Sequence, residues 1–180
     1  MNNCNTNFLS PTGFILTLPG FKEVSFQCTS VNLPGISMGS PNQGTPFNDI
    51  SLVGDKLQYE DLEVTFLVDE DCVNYSLIHN WMVGITYPQK STQWRDFVEQ
   101  MKEKDFQNEG NYEQIDVYLS ILNSNYNTTF KIVYTDAFPV ALSPLEFTTE
   151  ASDIQYLSAT ARFRYTYFKI TDRSNNQKTL

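Results

Sequence analysis

Ile115-Asp-Val-Tyr-Leu-Ser-Ile-Leu-Asn-Ser-Asn-Tyr-Asn-Thr-Thr-Phe-Lys-Ile-Val-Tyr134 is the stretch that decides the fold. Ile115, Val117, Leu119 and Ile121 alternate with Asp116, Tyr118 and Ser120, and after the polar turn 123–127 Phe130, Ile132 and Tyr134 alternate with Lys131 and Val133. Successive strand side chains point to opposite faces, so a period of two sets an apolar row against a core and a mixed row away from it. The stretch predicts an antiparallel hairpin.

The same period recurs on either side. Leu62, Val64, Phe66 and Val68 share one face of a strand over Leu62–Val68. Leu157, Ala159, Ala161, Phe163, Tyr165 and Tyr167 share one face of a long element from Ile154 to Ile170. That element far exceeds the usual strand of about six residues, so it is expected to bend or to span two sheets. Toward the N-terminus, Phe14–Leu18 and Val24–Val31 read as two strands joined into a hairpin by the turn after Pro19-Gly20. Short strands are expected over Ile50–Val53, before a turn at Gly54-Asp55, and near Leu145–Phe147, with Pro139 and Pro144 punctuating the approach to the latter.

Two segments change period. Asp69-Glu-Asp71 is placed to cap a helix carrying Val73, Leu77, Ile78, Trp81 and Met82 on one stripe, with Gly84 as its stop. Ser91 or Thr92 begins a second helix in which Trp94, Phe97, Val98 and Met101 recur at helical spacing. Residues 32–49 hold several prolines and glycines with no apolar period, which predicts a long loop or extended arm. The expected fold is mainly β (α+β): an antiparallel β-sandwich or small barrel with one or two flanking helices and a long protruding loop or arm. One domain is expected over 1–170, with a polar, mobile tail over 171–180.

Composition narrows the function. The 180 residues suit one domain, and Cys4, Cys28 and Cys72 are an odd number without C-x-x-C spacing, which argues against a disulfide framework or a thiolate metal site. The N-terminal residues carry no basic segment followed by an apolar one, and no run approaches the ~18 apolar residues of a membrane span. A cytoplasmic chain with no membrane partner is expected, so the glycosylation patterns at Asn74 and Asn127 are read as chance. A net charge of -9 repels a phosphate backbone and argues against tight nucleic-acid binding.

Catalytic patterns are sparse. Gly35-Ile-Ser37-Met-Gly39 fits G-x-S-x-G, and His79 with an intervening Asp supplies triad partners for a serine hydrolase. A nucleophile elbow, however, needs a strand leading in and a helix leading out, whereas Leu33-Pro34 precedes this match and Ser40-Pro41 follows it. Asp69, Glu70 and Asp71 lack the glycine-containing loop of a calcium site, and His79 is the only histidine. No phosphate-cradling glycine motif occurs, and Trp81 and Trp94 read as core anchors. No cofactor, metal or catalytic site is expected; shape, edges and surface remain, which points to assembly.

The order of features then resembles a known family. The strand VSFQCTSVNLPG, a glycine-proline arm ending in PF, LVGDKLQYEDLEVTFLVDED and NYSLIHNWMVGITYP follow one another as in the tail tube superfamily of contractile-tailed bacteriophages. The second half, from VYLSIL to YTYFKI, is similar to the T-even-type tail completion and sheath stabiliser proteins, the terminators that cap the tube. The resemblance implies a hexameric ring at the end of a virion tail, assembled in the host cytoplasm. Partners would be other copies of the chain, the tube, the sheath, and neck or baseplate proteins, with DNA only passing through the lumen. A tube subunit or baseplate-proximal initiator shares the same core. The extra segment 88–112 and the polar tail favour an end ring.

On this reading the strands over Leu62–Val68, Ile115–Asn123 and Ile154–Ile170 build a ring wall whose lumen is acidic, while the arm Leu33–Phe47 reaches an adjacent subunit. The expected subunit-contact residues are Leu33, Pro34, Gly35, Ile36, Met38, Pro46 and Phe47 of the arm and Val64, Phe66, Tyr165 and Tyr167 of the strands.

Overall fold

A short strand, β1 (Phe14–Thr17), and a single helical turn, α1 (Lys22–Phe26), open the fold in a computed structural model that describes residues 9, 11–86, 90, 92–103, 113–148 and 156–172. There follow β2 (Cys28–Val31), four arm strands β3 (Ile36–Met38), β4 (Asn42–Gly44), β5 (Asp49–Ser51) and β6 (Leu57–Tyr59), and β7 (Leu62–Leu67). Helices α2 (Val73–Thr86) and α3 (Thr92–Glu103) come next. The chain closes with β8 (Ile115–Leu122), β9 (Thr128–Leu142), β10 (Ser158–Arg164) and β11 (Tyr167–Asp172).

The deciding stretch folds as predicted: β8 and β9 pair antiparallel across the 123–127 turn, with Leu119 opposite Ile132. A seven-stranded antiparallel sheet grows from this pair in the order β1-β8-β9-β10-β7-β2, with β11 also laid on β9. The first half of β9 pairs with β11 and the end with β10, so one strand serves two sheet segments. The change falls at Asp136, whose φ of 57° is a left-handed conformation and whose amide donates to Asp116 Oδ1 at 3.2 Å.

Pro139 does not punctuate: β9 runs through it, and it lies buried opposite Phe163 where the register with β10 shifts. A proline lacks a ladder donor, and a bulge is where that loss is tolerated. The strand expected at Leu145–Phe147 does not form; 143–148 have no regular structure.

The long C-terminal element is two strands with a corner at Tyr165-Thr166, where the Thr166 amide donates to the Thr135 carbonyl at 3.0 Å. Its predicted start at Ile154 lies outside the described residues. Thr171 is buried in β11 and its hydroxyl donates to the Lys131 carbonyl, so the body extends to Asp172; 173–180 lie outside the described residues.

Two N-terminal expectations are corrected. Residues 22–26 are helical, and β1 and β2 are not a hairpin but lie at opposite ends of the sheet, on β8 and β7. Tertiary burial overrides the alternation: Phe21 and Val24, three apart, are both fully buried, and Phe21 stacks on Trp81 at 4.8 Å. The Ser25 hydroxyl locks the turn by accepting from the Leu18 amide and donating to the Phe21 carbonyl.

Helix α2 starts later and ends later than its sequence signals suggest. Among the described residues no carboxylate of Asp69, Glu70 or Asp71 accepts from a first-turn amide; Cys72, at φ 52°, supplies the carbonyl that Ser76 N–H meets first. Gly84 does not stop the helix. It lies buried inside it, where a Cβ would come within 2.5 Å of Phe97 Cγ, so glycine here lets α3 approach. The shared core places Trp81, Phe163, Phe66, Val64, Leu62 and Tyr134 with almost no exposure.

Candidate assembly interface

Residues 32–60, expected as a loop or arm over 32–49 followed by a short strand at Ile50–Val53, form a two-tiered β-hairpin in which that strand is β5, one residue earlier and shorter. The lower tier pairs Ile36 with Tyr59, Ser37 with Gln58 and Met38 with Leu57, and the upper pairs Asn42 with Ser51, Gln43 with Ile50 and Gly44 with Asp49. At the tip the Thr45 amide donates to the Asn48 carbonyl at 3.0 Å and the Thr45 hydroxyl accepts from the Asn48 amide at 3.1 Å. At the root the Gly35 amide donates to Glu60 Oε2 and the Glu60 amide to the Gly35 carbonyl, both at 3.1 Å. Between the tiers the backbones of Gly39 and Gly54 cross so closely that a Cβ on Gly54 would sit 1.8 Å from the Gly39 oxygen.

The hairpin is amphipathic without a core of its own. Ile36, Met38, Leu57 and Tyr59 lie on one face as two cross-strand pairs, and Ser37 and Gln58 take the other. Leu33, Ile36, Met38, Ile50 and Leu57 are all more than half exposed, Val53 is 84% exposed and Phe47 fully so. Covering each would gain on the order of 1 kcal/mol at 25 cal/mol per Å² of apolar surface.

The predicted contact residues divide accordingly. Leu33, Gly35, Ile36, Met38, Pro46 and Phe47 are exposed on the arm, while Pro34 is buried at its root. Val64 and Phe66 are fully buried in the subunit's own core, and β7 is flanked by β10 and β2, so neither has a side chain to offer a neighbour. Tyr165 is also core, at 7% exposure, and Tyr167 is half-buried. Exposed beside them, and outside the expected set, are Ile50 on β5, Leu57 on β6 and Leu52 and Val53 between the two strands; the alternation in Leu57-Gln-Tyr59 is the sequence signal for the last strand.

Within the seven-stranded sheet β1, β2 and β11 each have a margin that pairs with nothing among the described residues, and so does each strand of the arm's two pairs. On the outward face of β7 and β10, Arg162 meets Glu63 at 3.2 Å and Arg164 meets Asp61 at 3.3 Å, so both guanidiniums are neutralised locally. Ser37 stands mid-strand in β3, not on an elbow, and His79 is exposed on α2 with no side-chain hydrogen bond among the described residues.

Under the arm's root, Tyr59, Tyr134, Tyr165 and Phe168 form an aromatic cluster with ring centroids 5.0 to 6.3 Å apart. The hydroxyls of Tyr134 and Tyr165 are buried without partners. Burial, then the neighbouring Tyr59, Asp61 and Glu60, push Tyr165 up to about 12, and burial followed by Tyr165 pushes Tyr134 up as well. A proton held more tightly in the folded state leaves stability intact below the unfolded pKa of about 10 and removes it as pH rises toward 12. Denaturation midpoints should therefore fall between pH 10 and about 12, and Tyr134→Phe with Tyr165→Phe should flatten that fall without loss at neutral pH, since each removes an unpaired buried hydroxyl.

Residues 9–171 match the family model described as phage tail tube protein. The chain belongs to the phage tail tube protein family. No curated protein sequence matches it. Among solved structures, this tail tube protein is similar to the anti-feeding prophage tube terminating cap, with a TM-score of 0.54 and 13% identity over 96% of this chain and 99% of that one. It is similar to a chain of the PVC sheath-tube complex of an extracellular contractile injection system, at 0.55 and 13% over 93% and 94%. It is also similar to a chain of the PVC sheath/tube terminator, at 0.53 and 14% over 92% and 99%. At these identities the likeness is one of fold. The tail tube architecture anticipated from the order of features is thus present as antiparallel sheet with flanking helices, and it is not a closed barrel within one subunit.

Proposed function

We propose that this tail tube family member is a structural virion protein without turnover, closing into a ring, hexameric as the family resemblance implies, at the end of a contractile tail tube. There it ends the tube, steadies the last sheath ring and offers a surface to the neck. The observation that carries this reading is the arm: a hydrogen-bonded hairpin whose apolar face, beyond the Tyr59 ring packed at its root, leaves Ile36, Met38 and Leu57 more than half exposed. A patch of that kind marks an interaction surface. Ring closure supplies the cover and also occupies open strand margins, which otherwise invite uncontrolled pairing.

The terminator assignment draws on the two terminator folds, each matched over 99% of its length. DNA passage fits a chain of net charge -9, which repels a phosphate backbone on balance. A strongly basic lumen would contradict this. The sheath-tube likeness at a TM-score of 0.55 supports a second reading, a tube subunit or a baseplate-proximal initiator.

Particles assembled without the chain separate the two. A terminator's absence leaves tubes of irregular length, measured by electron microscopy of negatively stained particles. Absence of any tube assigns the chain to the tube or its initiator.

A further inference from the structure

Far from the arm, where β9 gives way to 143–148 and 156–157 lead into β10, Pro144, Glu146, Phe147, Thr148, Tyr156, Leu157 and Ser158 line a groove of about 490 Å³. Behind its floor, hydrogen bonds join the flanking strand ends. The Ser143 amide donates to the Thr160 carbonyl at 2.9 Å, the Thr160 amide to Ser143 Oγ at 2.9 Å, and the Val68 amide to the Leu157 carbonyl at 2.8 Å. The Tyr75 hydroxyl adds a bond to the Ser143 carbonyl at 3.1 Å, tying the floor to α2.

Its rim is unusual for a free surface. Phe147 is 77% exposed and Tyr156 79% exposed, and neither ring stacks on another among the described residues. Two open aromatic faces on one groove present apolar area and a negative π surface together. The local charge has the same sign. Glu146 is in the lining, and Asp69, Glu70 and Asp71 follow directly on Val68, whose amide is bonded to Leu157; Asp69 Oδ1 is buried and has no hydrogen-bond partner. Among the described residues no lysine or arginine lines the groove.

The geometry points to a docking groove for an extended, cationic peptide segment of a partner protein, its lysine or arginine heads over the Phe147 and Tyr156 rings and against Glu146, its aliphatic stems on Pro144 and Leu157. Cation–π contact and carboxylate pairing act on the same group there, and the long stems of Lys and Arg match the apolar floor. A second copy of the chain is a poor occupant: it carries -9 overall, and its own protruding arm holds Asp49, Asp55 and Glu60 against one lysine, Lys56. None of the groove's lining residues belongs to the arm, so a failed test here leaves the arm's role untouched.

The test uses the full chain and two fluorescent peptides of equal length, one alternating Lys with Leu and the other Glu with Leu, with binding read by polarisation. The Lys peptide should bind and the Glu peptide should not. Phe147→Ala combined with Tyr156→Ala should weaken the Lys peptide about tenfold or more, as expected for loss of aromatic anchors, and Glu146→Gln should weaken it less while lowering its salt dependence. Circular dichroism confirms that these exposed substitutions leave the fold intact. Equal binding of both peptides, or Lys-peptide binding unchanged in the aromatic double variant, overturns the proposal. So does a change of oligomeric state in that variant, which would assign the groove to contact between copies.

Discussion

Trp81→Ala should cost on the order of 3–5 kcal/mol, the usual range for deleting a large buried aromatic, and leave the chain barely folded at ambient temperature. Trp81 has no exposure; it stacks on Phe21 at 4.8 Å and meets Phe163 at 6.0 Å, so it joins α1, α2 and β10. A domain's net stability is only about 5–15 kcal/mol. Its indole N–H is buried without a partner, so truncation forfeits packing and cavity energy, with no hydrogen bond to lose. Trp94, half-buried on α3, is the internal control and should cost clearly less when replaced by alanine. Urea denaturation of the two variants checks this. A Trp81→Ala loss below about 1 kcal/mol would be incompatible with the packing described, given the range for such truncations.

The second large effect is on assembly. Ile36→Asp with Leu57→Asp should leave the subunit folded, because both side chains are more than half exposed, and should reduce ring formation at least a hundredfold. Each substitution puts a carboxylate where a neighbour would cover apolar surface, and desolvating an unpaired charge costs several kcal/mol. Gly54→Ala reaches the same end through the backbone, since the Gly39 carbonyl leaves no room for a Cβ. Sedimentation of the variants beside the parent chain measures both, with Ser37→Ala, on the polar face of the hairpin, expected to behave as the parent does.

These two predictions rest on parts of the molecule that differ in how far they were legible in the sequence. The strands β7 and β8 were readable because a long period-two row faces one core. The turn α1 was not, because what makes it helical is the pocket that Trp81 and the sheet offer Phe21 and Val24, a contact invisible along the chain. The run of β9 through Pro139 was hidden likewise, since only the register shift with β10 makes a proline tolerable there. The arm's exposure and Leu33, Ile36, Met38 and Phe47 were recognisable from its prolines and glycines, but its hairpin was not: each tier is three pairs long, too short for a period to declare itself. Val64 and Phe66 show the complementary limit. An apolar alternation says that one face of a strand is covered, and it does not say whether the cover is the subunit's own core or a neighbour.

Native mass measurement of the full chain, from micromolar to submillimolar concentration, with and without tube ends as template, bears most directly on ring closure through the arm. The predicted result is a single closed species of six subunits that disappears with Ile36→Asp and Leu57→Asp. A monomer under every condition, or an oligomer indifferent to those two changes, would contradict it.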